Sequence, residues 1–392
     1  MASNYILFDD PEIRASLLPL TFTRPIAGIR TGIFTIAEKW EKHLNTSLSF
    51  LTESYLQEKF PIKKSKQSIY INGAVCPTPE LVEAINSLKD DQILVKNNLT
   101  IAYTSDEKGK RSTFKGDLNI IQNPWDIFVY NPAEIKSDFD FILSLKKKSQ
   151  PITDPHTIAY NPENIFLEEG VKLRACILNA EEGPIYLGKN SEVQEGAIIK
   201  GPFALCESAV VNMGAKMRGD STIGPFSKVG GEVSNSVIFG YSNKGHDGFM
   251  GNTVIGEWCN LGADTNTSNL KNNYGTVEVF NYKEKEMVST GRQFCGLIMG
   301  DHAKSGINTM FNTGTVVGVA ANIFGSGFPP KHIPSFSWGG AEGFTTFRLE
   351  KAFEVAQRVM ERRKIKFTEI EKNILEEIFD QEVNVKTDGE HF

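Results

Sequence analysis

From Leu187 an aliphatic residue returns at every sixth position, through Val193, Ile199, Leu205, Val211, Met217 and Ile223 to Val229. An α-helix repeats every 3.6 residues and a simple strand every two, so neither accounts for a strict six over this length. A coil of short strands joined by corners does account for it. Each strand turns its aliphatic side chain inward, and stacking the coils buries one continuous core. Gly188, Asn212, Gly224 and Gly230 follow four of these positions, as sharp corners between flat faces require. A second run keeps the same period at Met299, Ser305, Phe311, Val317 and Ile323, with Ser305 as a weak core member. The pattern predicts a parallel β-helix from about Asp154 to Ser335. Two stretches break the rhythm, Glu232 to Phe249 and Thr265 to Leu297. In a rigid stack such stretches are expected to leave as loops, where binding and chemistry usually sit.

With 392 residues and 40% apolar content, the chain has room for two or three domains with cores of their own. A net charge of −6 leaves no cationic excess for broad nucleic-acid binding, although a few local cations suffice for a small anionic substrate. No run approaches the roughly 18 to 20 apolar residues of a membrane span. The opening MASNYILFDD meets acidic residues before any stretch of signal-peptide length. Cys76, Cys176, Cys206, Cys259 and Cys295 are odd in number and widely spaced, which reads as reduced thiols. A soluble, cytoplasmic protein is expected.

Before the repeats, Tyr5–Phe8, Ser68–Ile71 and Gln92–Val95 read as strands, while 32–43 and 79–88 carry helical spacing. The alternation predicts an α/β domain over residues 1–150, with the basic stretch 146–151 as its exit. The β-helix domain then occupies 151–340. A tail at 341–392 is expected to be helical, with Leu349, Phe353, Ala356 and Met360 on one stripe, and to cap the last coil or pack on a neighbouring subunit.

Ser242 to Leu270 reads SNKGHDGFMGNTVIGEWCNLGADTNTSNL. It resembles the acetyltransferase half of the bifunctional N-acetylglucosamine-1-phosphate uridylyltransferases, in which a histidine loop precedes two coils and a GAGT element. The resemblance includes a shortened, five-residue step from Met250 to Ile255. It implies a left-handed β-helix and a homotrimer with sites between neighbours. It also implies acetyl-CoA as acyl donor, and an amino-sugar phosphate or nucleotide sugar as acceptor. On it, His246 is the general base, and Arg218, Asn260, Asn269 and Lys271 contact the acceptor, Arg218 through its phosphate. Ala263, Gly306 and Ile307 lie along the donor. The chemistry suits these types, because amine attack on a thioester needs a proton acceptor, and a guanidinium binds phosphate bidentately. Phe249 and Leu270 stand where the family has tyrosines, and Ile307 where it has a serine, so both pockets differ in detail.

The first residues, ILFDDPEIRASLLPLTFTRPIAGIR, resemble the start of the sugar-1-phosphate nucleotidyltransferases, with Pro19–Pro25 matching best. Arg14 falls on a phosphate-binding arginine, and Arg24 and Arg30 are further nucleotide-binding candidates. Asp9, Asp10, Pro11 and Glu12 replace the family's glycines, Ile26 its lysine, and Ala74 its magnesium-binding aspartate. The resemblance therefore implies a degenerate domain that does not need Mg2+. The two resemblances imply three alternatives: an acyltransferase, a sugar-1-phosphate nucleotidyltransferase with an unorthodox phosphate loop, or a non-catalytic sugar-nucleotide sensor or scaffold.

Overall fold

The computed structural model describes residues 4–65, 67–104 and 109–383. They form two compact units. The first holds residues up to 29 together with 34–126, and the second holds 30–33 and everything from 127 onward.

The first unit is built on a six-stranded mixed sheet. Its strands are β1 (Asn4–Phe8), β2 (Ser49–Leu51), β3 (Ser68–Asn72), β4 (Gln92–Lys96), β5 (Leu99–Thr104) and β6 (Lys110–Thr113), in the order β2-β1-β3-β5-β4-β6. β1 runs parallel to β2 and β3, whereas β5 is antiparallel to both β3 and β4. Helices α1 (Pro11–Ser16), α2 (Ile36–Leu44) and α3 (Pro79–Asn86) complete it. α2 starts at Ile36 and not at residue 32, because Thr35 and Glu38 form a capping box that fixes the helix start. Trp40 of α2 is fully buried and donates from its indole to the Val75 carbonyl at 2.8 Å.

In the second unit, α4 (Asp126–Ser144) groups with the repeats, so the first unit ends short of the expected residue 150. The reason is a polar lock. Asn131 and Asp138 of α4 accept from the amides of Gly32 and Ile33 at 2.7 and 2.8 Å, and Thr222 donates to the Gly32 carbonyl at 2.9 Å. These buried groups need partners, and the 30–33 segment supplies them.

The repeats form a three-sided parallel solenoid. An eight-stranded first face runs from Ile158–Tyr160 to Met310–Phe311. A nine-stranded second face runs from Ile165–Leu167 to His332–Ile333, and a ten-stranded third face from Lys172–Leu173 to the closing hairpin at Gly343–Thr346. The predicted aliphatic series is buried throughout, and all its members belong to one core cluster. The second run is buried too. Ser305 is accommodated by a hydroxyl–hydroxyl contact with Thr265 at 3.1 Å. The edge between the second and third faces is filled by stacked rings: Phe226, Tyr241, Trp258 and His302 follow one another at 5.2, 4.3 and 6.2 Å.

The two interruptions behave differently. Residues 268–297 do leave the stack, as a hairpin of Glu278–Asn281 and Glu286–Ser289. Glu232 to Phe249 does not. Val233, Ile238 and Lys244 sit in register over Met217, Ile223 and Val229, one on each face. What changes is coil length, eighteen residues from Ile199 to Met217 but sixteen from Met217 to Val233, so a count by sixes loses phase there. The tail forms α5 (Leu349–Glu361) and α6 (Glu369–Glu382), and α5 buries Ala352, Ala356 and Met360. No helix among the described residues is long and apolar enough to cross a membrane.

Candidate functional site

His246 lies on the corner that joins the third face, after Asn243–Lys244, to the first face, before Phe249–Gly251. It is therefore part of an ordinary corner and not of an expelled loop. Its imidazole is exposed and makes no side-chain hydrogen bond among the described residues. The packing below demands glycine, since a Cβ on Gly230 would run into the Gly245 carbonyl. At Gly248, φ is +118° and a Cβ would meet the Thr265 carbonyl.

Later coils place their corners on the same edge. The Asp264 amide donates to the Asp247 carbonyl at 3.1 Å, and the Asn308 amide to the Ala263 carbonyl at 2.8 Å. His246, Ala263, Gly306 and Ile307 thus share one edge on three successive coils, about 5 Å per coil. Ile307 is 71% exposed at its end. Asn260 is exposed on the third face, one coil above Asn243 and paired with Lys304 above it.

Arg218 follows the strand Lys216–Met217 and stands on the opposite edge of the first face, two coils before His246. From strand rise and coil spacing, the two flank that face at roughly 15 to 20 Å. Arg218 is well exposed and pairs with Glu232 at 2.9 Å. Asn269 is on the same edge as Arg218, later in the stack, where its amide donates to Asn252 at 2.8 Å. A cavity of about 410 Å3 opens on this edge between α4 and the excursion, lined by Phe128, Pro132, Asn235, Asn252, Arg292 and Phe294 among others. Lys271 donates to the Thr276 carbonyl within the excursion. The ring of Phe249 lies against Gly251, on the first face between the two edges.

Two charged residues near His246 escaped the sequence reading. Asp264 is exposed one coil above Asp247, and its backbone carbonyl accepts from Asn266 at 3.0 Å. Lys244 is buried two residues before the histidine, at a position that holds Val229 in the coil below and Leu261 in the coil above. Its signal was present, since an in-phase count from Ile238 lands on it six residues later.

The amino-terminal candidates are arranged otherwise. Arg14 is buried, pairs with Asp9 at 2.9 Å, and donates to the carbonyls of Thr21 and Arg24. Arg24 is buried and donates to the Leu20 carbonyl at 3.0 Å. Asp10 accepts from the amides of Glu12 and Ile13, and Asp9 from that of Ile26 at 2.8 Å. Burial pushes the Asp9 carboxyl up, with Arg14 opposing. Arg30 belongs to the second unit, where it donates to the Phe239 carbonyl at 3.1 Å. All three guanidiniums of the expected nucleotide-binding set donate to backbone carbonyls. Ala74 is fully buried, with its amide on Asn72 at 3.0 Å. Among the described residues, no group of three His, Cys, Asp or Glu side chains could hold a metal ion.

Residues 5–147 match the sugar nucleotidyl transferase family. The chain is also similar to several bifunctional proteins. A bifunctional sugar-1-phosphate nucleotidylyltransferase/acetyltransferase of Sulfurisphaera tokodaii is 29% identical over 160 residues, which is 40% of this chain and 37% of that protein. The bifunctional protein GlmU of Methanocaldococcus jannaschii is 39% identical over 87 residues, or 22% and 21% of the two chains. The GlmU of Bartonella quintana is 23% identical over 314 residues, 74% of this chain and 61% of its own length. The chain thus spans about a fifth to three fifths of these relatives. The first is a transferase by name, and the resemblance to GlmU-like proteins read from the motifs agrees with all three.

Proposed function

We propose that the protein is an acyltransferase that moves an acyl group from a CoA thioester to the amine of an amino-sugar phosphate or nucleotide sugar. The observation that carries this reading is the free imidazole of His246 on the same edge as Ala263, Gly306 and Ile307. An extended thioester can lie along that edge while the acceptor rests on the first face. His246 takes the proton from the attacking amine as the nitrogen–acyl bond forms and the carbon–sulfur bond breaks, and the CoA thiolate leaves. Arg218, across the face, binds the acceptor phosphate through its guanidinium. Asn260 and Asn269 position the acceptor sugar. Acetyl-CoA fits an edge of this kind, although Ile307 shortens the room at its acyl end.

A homotrimer accompanies the proposal. Ile198 and Met310 on the first face, and Met213, Ile307 and Phe324 beside it, are exposed apolar side chains that a second copy would cover. Light scattering at micromolar concentration should give three times the chain mass.

The family match at residues 5–147 favours a second reading, sugar-1-phosphate nucleotidyl transfer. Against it, the amides and arginines that would hold a triphosphate are bonded to the protein itself, and Ala74 offers no ligand to magnesium. One experiment separates the two. Thiol release from acetyl-CoA is followed with a panel of amino-sugar phosphates, beside pyrophosphate release from NTPs and sugar-1-phosphates with Mg2+. Acyl transfer predicts the first signal without the second. Pyrophosphate release at roughly 1 per second or faster would replace it with nucleotidyl transfer.

A further inference from the structure

We propose that Lys244 is a positioning residue, tying the corner that carries His246 from inside the solenoid and thereby setting where the imidazole stands. Its part in catalysis rests on the acyl-transfer reading, whereas the tie itself does not.

On the third face the inward positions run Leu173, Val193, Val211, Val229 and then Lys244. Lys244 is 1% exposed. An ammonium cannot enter an apolar core without partners, and it has three N–H groups to satisfy. Three carbonyls meet it: Gly230 at 3.3 Å, Asp247 at 3.1 Å, and His246 itself. Two of the three belong to the corner, so the corner backbone is turned inward onto the lysine. An aliphatic residue there would leave the His246 carbonyl facing the core without that donor, and the corner would turn to find water.

The charged groups facing the ammonium are Asp247 on the same corner and Asp264 one coil above, both of which favour its protonated form. Burial outweighs them and brings the amine down to about 8. Near that pH the side chain loses its charge and one donor, and the tie loosens.

The test uses the full chain with 13C-labelled histidine rings. Six histidines give six ring signals, and the one missing in His246→Ala identifies His246. In the wild type this signal should show an inflection near pH 8, where Lys244 loses its proton. Lys244→Met fills the core without donors and should shift the signal and abolish the inflection. Lys244→Gln keeps donors without charge, so it should restore the wild-type position at neutral pH and still lack the inflection. Where an acceptor is turned over, Lys244→Met should lower kcat about tenfold or more with KM within about twofold, as misplaced reacting groups do. A His246 signal in Lys244→Met that superposes on the wild type at every pH would overturn the proposal. If Lys244→Met fails to fold, the inflection in Lys244→Gln decides, and its survival there overturns the proposal equally. If the inflection behaves as described but His246→Ala still transfers acyl groups, the tie stands and the acyl-transfer reading falls.

Discussion

The edge around His246 and the short helix that carries Arg14 are both rich in groups that could do chemistry, yet they dispose of them in opposite ways. On the edge, the imidazole is exposed and makes no side-chain hydrogen bond among the described residues, while the backbone beneath it is held by Lys244, Gly230 and the next coil. Around α1, Arg14, Asp9 and Asp10 are consumed by their own surroundings: guanidinium to carbonyls, carboxylates to amides. A charged group that is buried and fully paired stabilises a fold. One that is exposed on a rigid corner costs the fold little and is available to a substrate. The comparison teaches that resemblance to a catalytic motif is worth as much as the freedom of its side chains.

The largest effect that can break this contrast is on stability. Arg14→Ala should cost about 3 to 5 kcal/mol, because it leaves the Asp9 carboxylate buried without its cation. Denaturant unfolding checks it, and a loss below about 1 kcal/mol would mean that Arg14 is not a structural clasp. Next comes Arg218. Its pair with Glu232 is exposed, so Arg218→Ala should change stability by less than about 0.5 kcal/mol. It should nevertheless raise KM about tenfold for phosphate-bearing acceptors, as loss of a charge-assisted contact does. Equal loss with dephosphorylated acceptors would remove the phosphate role. The last effect is the pH dependence that Lys244 adds. Its folded pKa, about 8, lies below the ordinary 10.5, so between these values the unfolded chain binds more protons. Stability from this group should therefore rise with pH across that window. Comparing melts of the wild type and Lys244→Met from pH 7.5 to 10 isolates the contribution, and a wild-type curve that falls relative to the variant would reverse the sign.

The solenoid was legible because each inward position on Leu187 to Val229 is aliphatic and each step is six. Legibility ended where the physics changed. After Val229 the corner shortens and Val233 follows four residues on, so a fixed count places polar residues inward and reports a loop where the stack continues. Lys244 then sits in a core position that binary patterning assigns to an aliphatic residue, and only the three inward carbonyls explain it. The grouping of His246, Ala263 and Ile307 came from the family resemblance and not from spacing, which shows no edge by itself. The fate of Arg14, Arg24 and Arg30 was not, because a sequence shows a cation but not the carbonyls that will use it up.

The most direct test of the account is thiol release from acetyl-CoA, measured on wild type and His246→Ala with whichever amino-sugar phosphate or nucleotide sugar the wild type accepts, alongside the melting temperature of both. The account predicts kcat reduced about 100-fold or more at an unchanged melting temperature, since an exposed imidazole buries nothing. Wild-type turnover in His246→Ala would contradict it.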